Sequence, residues 1–509
     1  MRLQIMIWIC LAGIGTSYSS DSVKLDSLNL IKRLREYRAP LNRFTDGFYT
    51  NPAVKYHQRK LSLTEMNLNL EQNKQDRYVL QEGKGFKQAA FEANAFLKNE
   101  GKDALWGTAA YQNGKRLGQN WSENADYKTI YPYVMADTVG GDLSAETYRF
   151  SGGYALKLNH TILGISAAYR ALMEYRNVDP RPKNTSSDLE IKLGASRSLN
   201  NRYELAIAGS FRKYSQESNL KFFSETGAPI VYHMAGLGVD HKLFAGNRRN
   251  AFYDGKGYGF ELQFLPKDKT GFFSSLSYQQ FSFSKVITDP VIIPLAEVNS
   301  NGLKADLGYL IRSKDRYYGW KASAFLTKRD GIESKFDNKG QNNYVRISSN
   351  QNYQDEQKDF RLTAVYGVQK ESKLSWDLSA DIGFSDEESQ YLEPARSLQF
   401  SALSGGIQAE LSKMLGKSLF RIGAGGRSAK NTKGQRSWPG MDAASSVYQM
   451  LETNYAYYTA GYQQLKLNAG WDYQLKNNMG LSLKSNWIHT SFDTAHQGNQ
   501  FLLSAGITF

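Results

Sequence analysis

Cysteine is almost missing from this chain. Cys10 is the single one in 509 residues, and it lies inside the apolar stretch from Ile5 to Gly15. Once that stretch is removed no thiol remains, which excludes disulfides and thiolate metal sites. Histidine is scarce too, with six residues, and none stands at the HExxH spacing of a zinc hydrolase. No Gly-rich phosphate cradle is present, so no cofactor and no metal is expected. Long apolar runs are also lacking: Ile5 to Gly15 is the longest and is too short to span a bilayer as a helix. With 22% charged residues and a mean hydropathy of −0.53, a bundle of membrane helices is excluded. Proline is limited to 11 residues, against 44 glycines and 13% aromatics. That balance suits many short strands carrying aromatic residues near their ends.

Met1-Arg2, the apolar stretch and the small-residue exit Thr16-Ser-Tyr-Ser-Ser20 have the layout of a secretory signal peptide over residues 1–20. Cys10 has no convincing lipobox before it, so no lipid anchor is expected. The net charge is +14. Export argues against nucleic acid as the counter-charge and points to the phosphates and acidic sugars of an outer leaflet. Residues 21–60 read as a periplasmic leader or a small plug segment. Leu25, Leu28, Leu30, Ile31 and Leu34 form a short amphipathic pattern that breaks at Pro40, and a periplasmic helix or arm is the favoured form.

From about residue 61 the chain repeats one unit, two alternating segments joined by a tight turn. Leu189, Ile191, Leu193 and Ala195 alternate with Glu190, Lys192 and Gly194, then Asn200-Asn201 turns the chain into Tyr203, Leu205 and Ile207. Asn-Asn tolerates the positive φ that a two-residue hairpin requires. The unit returns about Lys314-Asp315, Lys370-Glu371 and Asn477-Asn478, and more weakly over 86–111, 147–174, 257–284 and 397–429. The last stretch, Phe501 to Phe509, places Phe501, Leu503, Ala505, Ile507 and Phe509 on one face.

Connections alternate in length. Short turns follow one strand and longer segments the next, the longest at about 112–146, 217–256, 331–356 and 430–460. This is the asymmetry of transmembrane barrels, with short periplasmic turns and long external loops. An opening strand at about 61–70, eight hairpins and the closing strand make 18, with 16 or 14 if weak early segments do not span. The fold class expected for 61–509 is therefore all-β, a transmembrane antiparallel outer-membrane β-barrel. In hydrocarbon a sheet satisfies its backbone only by closing, which removes its edges.

Charges on the lipid face cost a few kcal/mol each near the midplane, so the charged face must point inward. Glu190, Lys192, Lys304, Asp306, Arg312, Lys321, Arg361, Asp377, Asp381, Lys466 and Asp472 are expected to line the lumen. Tyr318, Trp320, Trp376, Trp471 and Tyr473, near the short turns, are expected to form the interfacial aromatic girdle. Catalysis is not expected. His233, Asp240 and His241 share one long external segment, and His489, Asp493 and His496 lie toward the external end near the carboxyl terminus, but neither set carries the motif of a barrel protease or phospholipase.

The terminal strand, with Phe501 and the final Phe509, resembles the closing strand that the barrel-assembly machinery reads in outer-membrane barrels. The chain as a whole resembles an uncharacterised family of Bacteroidetes outer-membrane barrels, through Tyr49-Thr-Asn-Pro-Ala53, Ala171-Leu-Met-Glu-Tyr-Arg176 and Asp179-Pro-Arg-Pro-Lys-Asn184. The Asn-Pro-Ala element is also similar to one near the start of fatty-acid-transporting barrels. The resemblance implies a place in the cell outer membrane, against lipid and lipopolysaccharide. It also implies a role as a passive channel or as the accessory barrel of an uptake complex with a TonB-dependent transporter and a surface lipoprotein. A rim-catalytic hydrolase and an adhesive barrel with binding loops are the alternatives.

Overall fold

The computed structural model describes residues 30–99, 101–224, 229–246, 249–288, 291–340, 344–370, 374–492 and 496–509. The expected signal peptide lies outside them. Eighteen antiparallel strands form one sheet, each paired with its sequence neighbours, and the last pairs with the first so that the sheet closes. In chain order these are β1 (Leu63–Gln75), β2 (Gly85–Asn99), β3 (Asp103–Gln119), β4 (Gly141–Leu158), β5 (Thr161–Tyr175) and β6 (Arg181–Ser198). Then come β7 (Tyr203–Lys221), β8 (Asn250–Pro266), β9 (Gly271–Ile287), β10 (Ile293–Ser313), β11 (Arg316–Asn338) and β12 (Tyr344–Val368). The wall ends with β13 (Ser375–Tyr391), β14 (Arg396–Leu415), β15 (Ser418–Ser437), β16 (Tyr462–Gln474), β17 (Gly480–Phe492) and β18 (Gln497–Thr508). The fold is the outer-membrane β-barrel read from the alternation.

The outer face is apolar and exposed: Leu465 and Leu467 on β16, Ile382 and Phe384 on β13, and Ile422 on β15 stand without protein neighbours to cover them. Such a band is stable only against acyl chains. Closure is made by β1 and β18, where Leu68 opposes Ala505 and Leu70 opposes Leu503, and the backbones of Thr64 and Phe509 exchange hydrogen bonds of 2.9 and 3.3 Å.

The tight turns at Asn200-Asn201, Lys314-Asp315 and Asn477-Asn478 form, with one difference in mechanism, while Glu371 of the turn expected at Lys370-Glu371 lies outside the described residues. Asn477 and Asn478 adopt φ of 57° and 56° and Lys314 a φ of 48°, as hairpin turns demand. Asn200 instead stays at negative φ and turns the chain with its side chain, its Oδ1 accepting from the amides of Arg202 and Tyr203 at 2.8 Å each. A larger difference concerns 331–356, expected as a long loop. Most of it is strand, because β11 and β12 run on to a connection of only 339–343. Above the lipid the outer face of the hairpin meets water while its inner face buries polar Glu333 and Asn352 under the loop cover, so Glu333-Ser-Lys335 and Arg346-Ile-Ser-Ser349 lose the alternation that marks the strands below.

Both ends of the barrel are filled. At the short-turn end, residues 30–60 lie inside the wall. Helix α1 (Leu30–Tyr37) buries Leu30, Ile31 and Leu34 against Leu63 of β1 and Leu419 of β15, and burial of this kind contributes about 1.5–3 kcal/mol per side chain. Helix α2 (Leu41–Thr45) follows Pro40, and Phe44, Phe48 and Tyr49 then pack on Leu265, Phe273, Leu310 and Tyr317 of the wall. The arm favoured from sequence is thus an inner segment, since its apolar side has the barrel interior to pack on. At the opposite end, loop residues 120–140, 229–246 and 438–461 fold inward. They contribute α3 (Tyr127–Ile130), α4 (Ser446–Tyr458) and a small sheet of Met135–Ala136, Tyr232–Gly236 and Val239–Asp240. Their core joins Trp121, Tyr133, Met234 and Met450 to Tyr214, Tyr253 and Tyr353 of the wall.

Candidate functional site

The site is the barrel interior with its two closures. Polar contacts fix residues 30–60 to the wall. The Arg38 guanidinium pairs with Glu65 of β1 and lies 3.3 Å from Asp472 of β16, which Arg421 also meets at 3.0 Å. Arg43 meets Glu410 at 3.1 Å and Asp377 at 3.5 Å. His57 Nε2 lies 3.0 Å from Glu204 at the start of β7, Thr50 Oγ1 donates to Glu261, and Gln263 Nε2 donates to the Phe48 carbonyl at 2.8 Å.

Backbone shape completes the fit. Gly164 on β5 and Gly194 on β6 are register partners, so two missing side chains leave one depression in the inner wall. Asn51-Pro52-Ala53 fills it: a Cβ on Gly194 would overlap Asn51 Oδ1, and one on Gly164 would overlap the Pro52–Ala53 backbone. Asn51 Nδ2 donates 2.8 Å to the Ile207 carbonyl and its Oδ1 accepts from the Ala53 amide at 2.9 Å. Elsewhere a Cβ on Gly480 would strike Leu30, and one on Gly308 would crowd Phe48.

All eleven residues expected on the inner face point inward, and the structure gathers most of them into pairs. Lys304 meets Asp306 at 2.9 Å, and Lys192 lies 3.9 Å from Glu261. Asp381 is held between Arg361 and Arg427, each at 2.7 Å. Lys321 stands 5.8 and 5.9 Å from the rings of Phe44 and Phe48. Asp377 and Asp472 serve the inner segment, Arg312 reaches Gln369 at 3.2 Å near the short-turn rim, and Lys466 faces inward opposite Gly425. Glu190 borders a chamber of about 560 Å³ in the β2–β9 half of the barrel.

That chamber holds residues the sequence reading missed. Arg149 and Arg170 stand directly opposite on β4 and β5. Arg170 forks onto Asp126 of the loop cover at 2.8 and 2.6 Å, and Arg212 onto Asp188 at 2.8 and 2.7 Å. The strands of Arg149 and Arg170 show only weak alternation in sequence and the Asp126 partner comes from a loop, whereas Arg212 follows Phe211 on the clearly alternating β7, where the period of two marks the inner face.

Of the girdle residues, Tyr318, Trp320 and Trp376 are exposed on the outer face beside the short turns. Tyr366 and Trp376 rings pack at 5.4 Å, and Trp471 and Tyr473 at 5.8 Å with the Trp471 indole donating 3.3 Å to Ser418. Phe501 faces outward stacked on Trp487 at 6.2 Å, and Phe509 is exposed beside β1. The histidines divide. His241 is half-buried in the loop cover, where desolvation and then Lys285 push its imidazole down to about 3, and its Nε2 has no hydrogen-bond partner among the described residues. His233 is fully buried on the adjacent small strand. His489 meets Asn499 at 3.0 Å, while Asp493 lies outside the described residues. The buried Glu123 carboxyl of the cover is raised well above the usual range by burial and the nearby Asp137, and Arg176 opposes that shift at 2.7 Å.

The model of a family of unknown function, DUF6850, matches residues 52–509, and the chain belongs to that family. No curated protein matches it. Among solved structures the chain is similar to the siderophore receptor PiuA from Acinetobacter baumannii, at 9% identity and a TM-score of 0.40, over 89% of this chain and 82% of that one. It is also similar to the copper transporter OprC, at 8% identity and a TM-score of 0.40, over 87% and 80%. A third is the CymD monoaromatic hydrocarbon channel, at 10% identity and a TM-score of 0.32, over 91% and 92%.

Proposed function

We propose that this DUF6850 barrel resides in the outer membrane and passes a small polar solute through its interior, with residues 30–60 as the closure that limits passage. The observation that carries this is the contrast between the two halves of the interior. Under the loop cover lie chambers of about 560 and 420 Å³, whereas around the inner segment the cavities are about 150 and 20 Å³. The larger chamber is walled by charged side chains, among them Arg149, Arg170, Asp188 and Arg212, that suit a hydrated solute and not an acyl chain. The segment is attached by discrete ion pairs and a glycine seat rather than by strand pairing, so it can leave without opening the barrel. A freely open channel is the poorer reading, because the closure occupies the route.

The test is conductance in planar bilayers for the full chain and for a variant with a weakened closure, Asn51→Ala combined with Arg43→Gln. The full chain should be mostly silent and the variant should show frequent openings. A full chain that already conducts steadily, with no change in the variant, would rule the reading out.

A further inference from the structure

The smaller chamber, about 420 Å³, lies between the loop cover and the inner faces of β11–β14. That volume is in the range of small-molecule pockets. Its upper wall is aromatic: Tyr127 and Tyr131 of the 120–140 loop have centroids 5.4 Å apart, and Tyr457 and Tyr458 of α4 are set edge to face at 5.8 Å. Its lower wall carries carboxylates. The register pairs Asp355 with Ser389 and Gln357 with Glu387, so Asp355 of β12 and Glu387 of β13 point inward side by side.

The ions around this chamber do not balance. Lys128 is taken by Glu82 at 2.9 Å. Arg329 spends Nη1 on the carbonyls of Lys128 at 3.1 Å and Tyr131 at 2.9 Å, and makes no ion pair among the described residues. Asp355 accepts from Ser389 at 2.6 Å and Tyr353 at 3.4 Å. Glu387 has neither a hydrogen bond nor an ion pair among the described residues, although it lines the cavity. Glu387 faces Lys128 and Arg329 without contact and lies beneath ring faces, so a cation entering the chamber gains both a charge partner and the π clouds.

We infer that this chamber binds an organic cation, a primary amine or guanidinium on a small apolar frame. The charged head sits on Glu387, with Asp355 as second acceptor, and the frame lies against the tyrosines. This names the solute class for the transport reading and rests on it only in calling the ligand a solute, since binding is measured without transport.

Trp121 and Trp438 border the chamber, so intrinsic fluorescence of the detergent-solubilised full chain reports occupancy. Titration with benzylammonium should saturate and titration with glucose should not. Glu387→Gln should weaken benzylammonium binding at least tenfold, whereas Glu388→Gln, on the opposite face of the same strand, should leave it unchanged. Heat-modifiable gel mobility checks that each variant is a folded barrel, and Asp355→Asn, expected to weaken binding less, replaces Glu387→Gln should that variant not fold. Absence of saturation with benzylammonium, saturation with glucose instead, or undiminished affinity in the folded carboxylate variant would overturn the inference. Binding without flux would leave the site standing and count against the transport reading, and flux without binding would do the reverse.

Discussion

Asn51 occupies the space that a side chain on Gly194 would need: its Oδ1 sits where the missing Cβ would be, while its Nδ2 holds the Ile207 carbonyl at 2.8 Å. One position in the 30–60 segment is thereby matched to one position in the sixth strand, across more than a hundred residues of sequence. Gly194→Leu should therefore push the segment out while leaving the barrel closed. Overpacking of a tight contact costs about 1–3 kcal/mol, so the seated-to-released ratio should fall at least about fivefold. Limited proteolysis within 30–60 should quicken to match, and an unchanged cleavage rate would mean that the seat does not hold the segment.

The loop cover depends on a buried ion pair. Arg176 Nη2 lies 2.7 Å from Glu123 Oε2, and Arg176 Nε donates 2.6 Å to the Pro180 carbonyl. Removing one partner of such a pair costs roughly 3–5 kcal/mol. Burial and Asp137 raise the Glu123 carboxyl, so once Arg176 is gone it can take up a proton instead of standing as a bare buried charge, and Arg176→Met should cost toward the lower end of that range. Hydrogen exchange over 120–140 should rise in the variant while exchange in β11–β14 stays slow.

The closure should tighten with alkalinity. Lys269, in the turn between β8 and β9, stands 5.6 Å from the Tyr49 ring. Burial and then Arg59 push its ammonium down to about 8 from the ordinary 10.5. Below about pH 8 it is charged whether the segment is seated or released, and the seated state bears the burial cost. Between about 8 and 10.5 the seated form sheds the proton and the released form keeps it, so seating gains stability as pH rises. Protection of residues 30–60 from protease should increase across that window, and Lys269→Met should abolish the trend.

Much of the wall was legible because the bilayer imposes a period of two. Trp376, Leu378, Ala380 and Ile382 face lipid while Asp377, Ser379 and Asp381 face in, and the sequence shows that directly. The signal fades above the lipid, as in 331–356, where the outer face of β11 and β12 is wet and the inner face buries polar Glu333 and Asn352. The closures were hidden for a different reason. Residues 30–60 carry an ordinary amphipathic pattern, and what places them inside is the Gly164–Gly194 depression, a property of two strands in register that neither strand shows alone. Likewise Arg170 finds Asp126 only through tertiary folding.

The two faces should differ sharply in tolerance. Leu467 on the outer face of β16 is exposed, and Leu467→Arg should cost about 2–4 kcal/mol near the midplane. Gln464→Arg, on the inner face of the same strand, should cost less than about 1 kcal/mol, as surface changes do. Urea unfolding in lipid vesicles separates the two, and equal costs would mean that the faces have been assigned wrongly.

The most direct test of the closure joins residues 30–60 to the wall by a bond that can be cut. A Cβ on Gly194 would lie 2.9 Å from Asn51 Cγ, which leaves the two Cβ atoms no more than about 4.4 Å apart, within disulfide range, so Asn51→Cys with Gly194→Cys should form a disulfide in the membrane-inserted barrel. Solute flux is then measured in proteoliposomes before and after reduction. The oxidised barrel should be sealed, and flux should appear on reduction. Flux of the same size in both states, or cysteines that never meet in the folded protein, would contradict it.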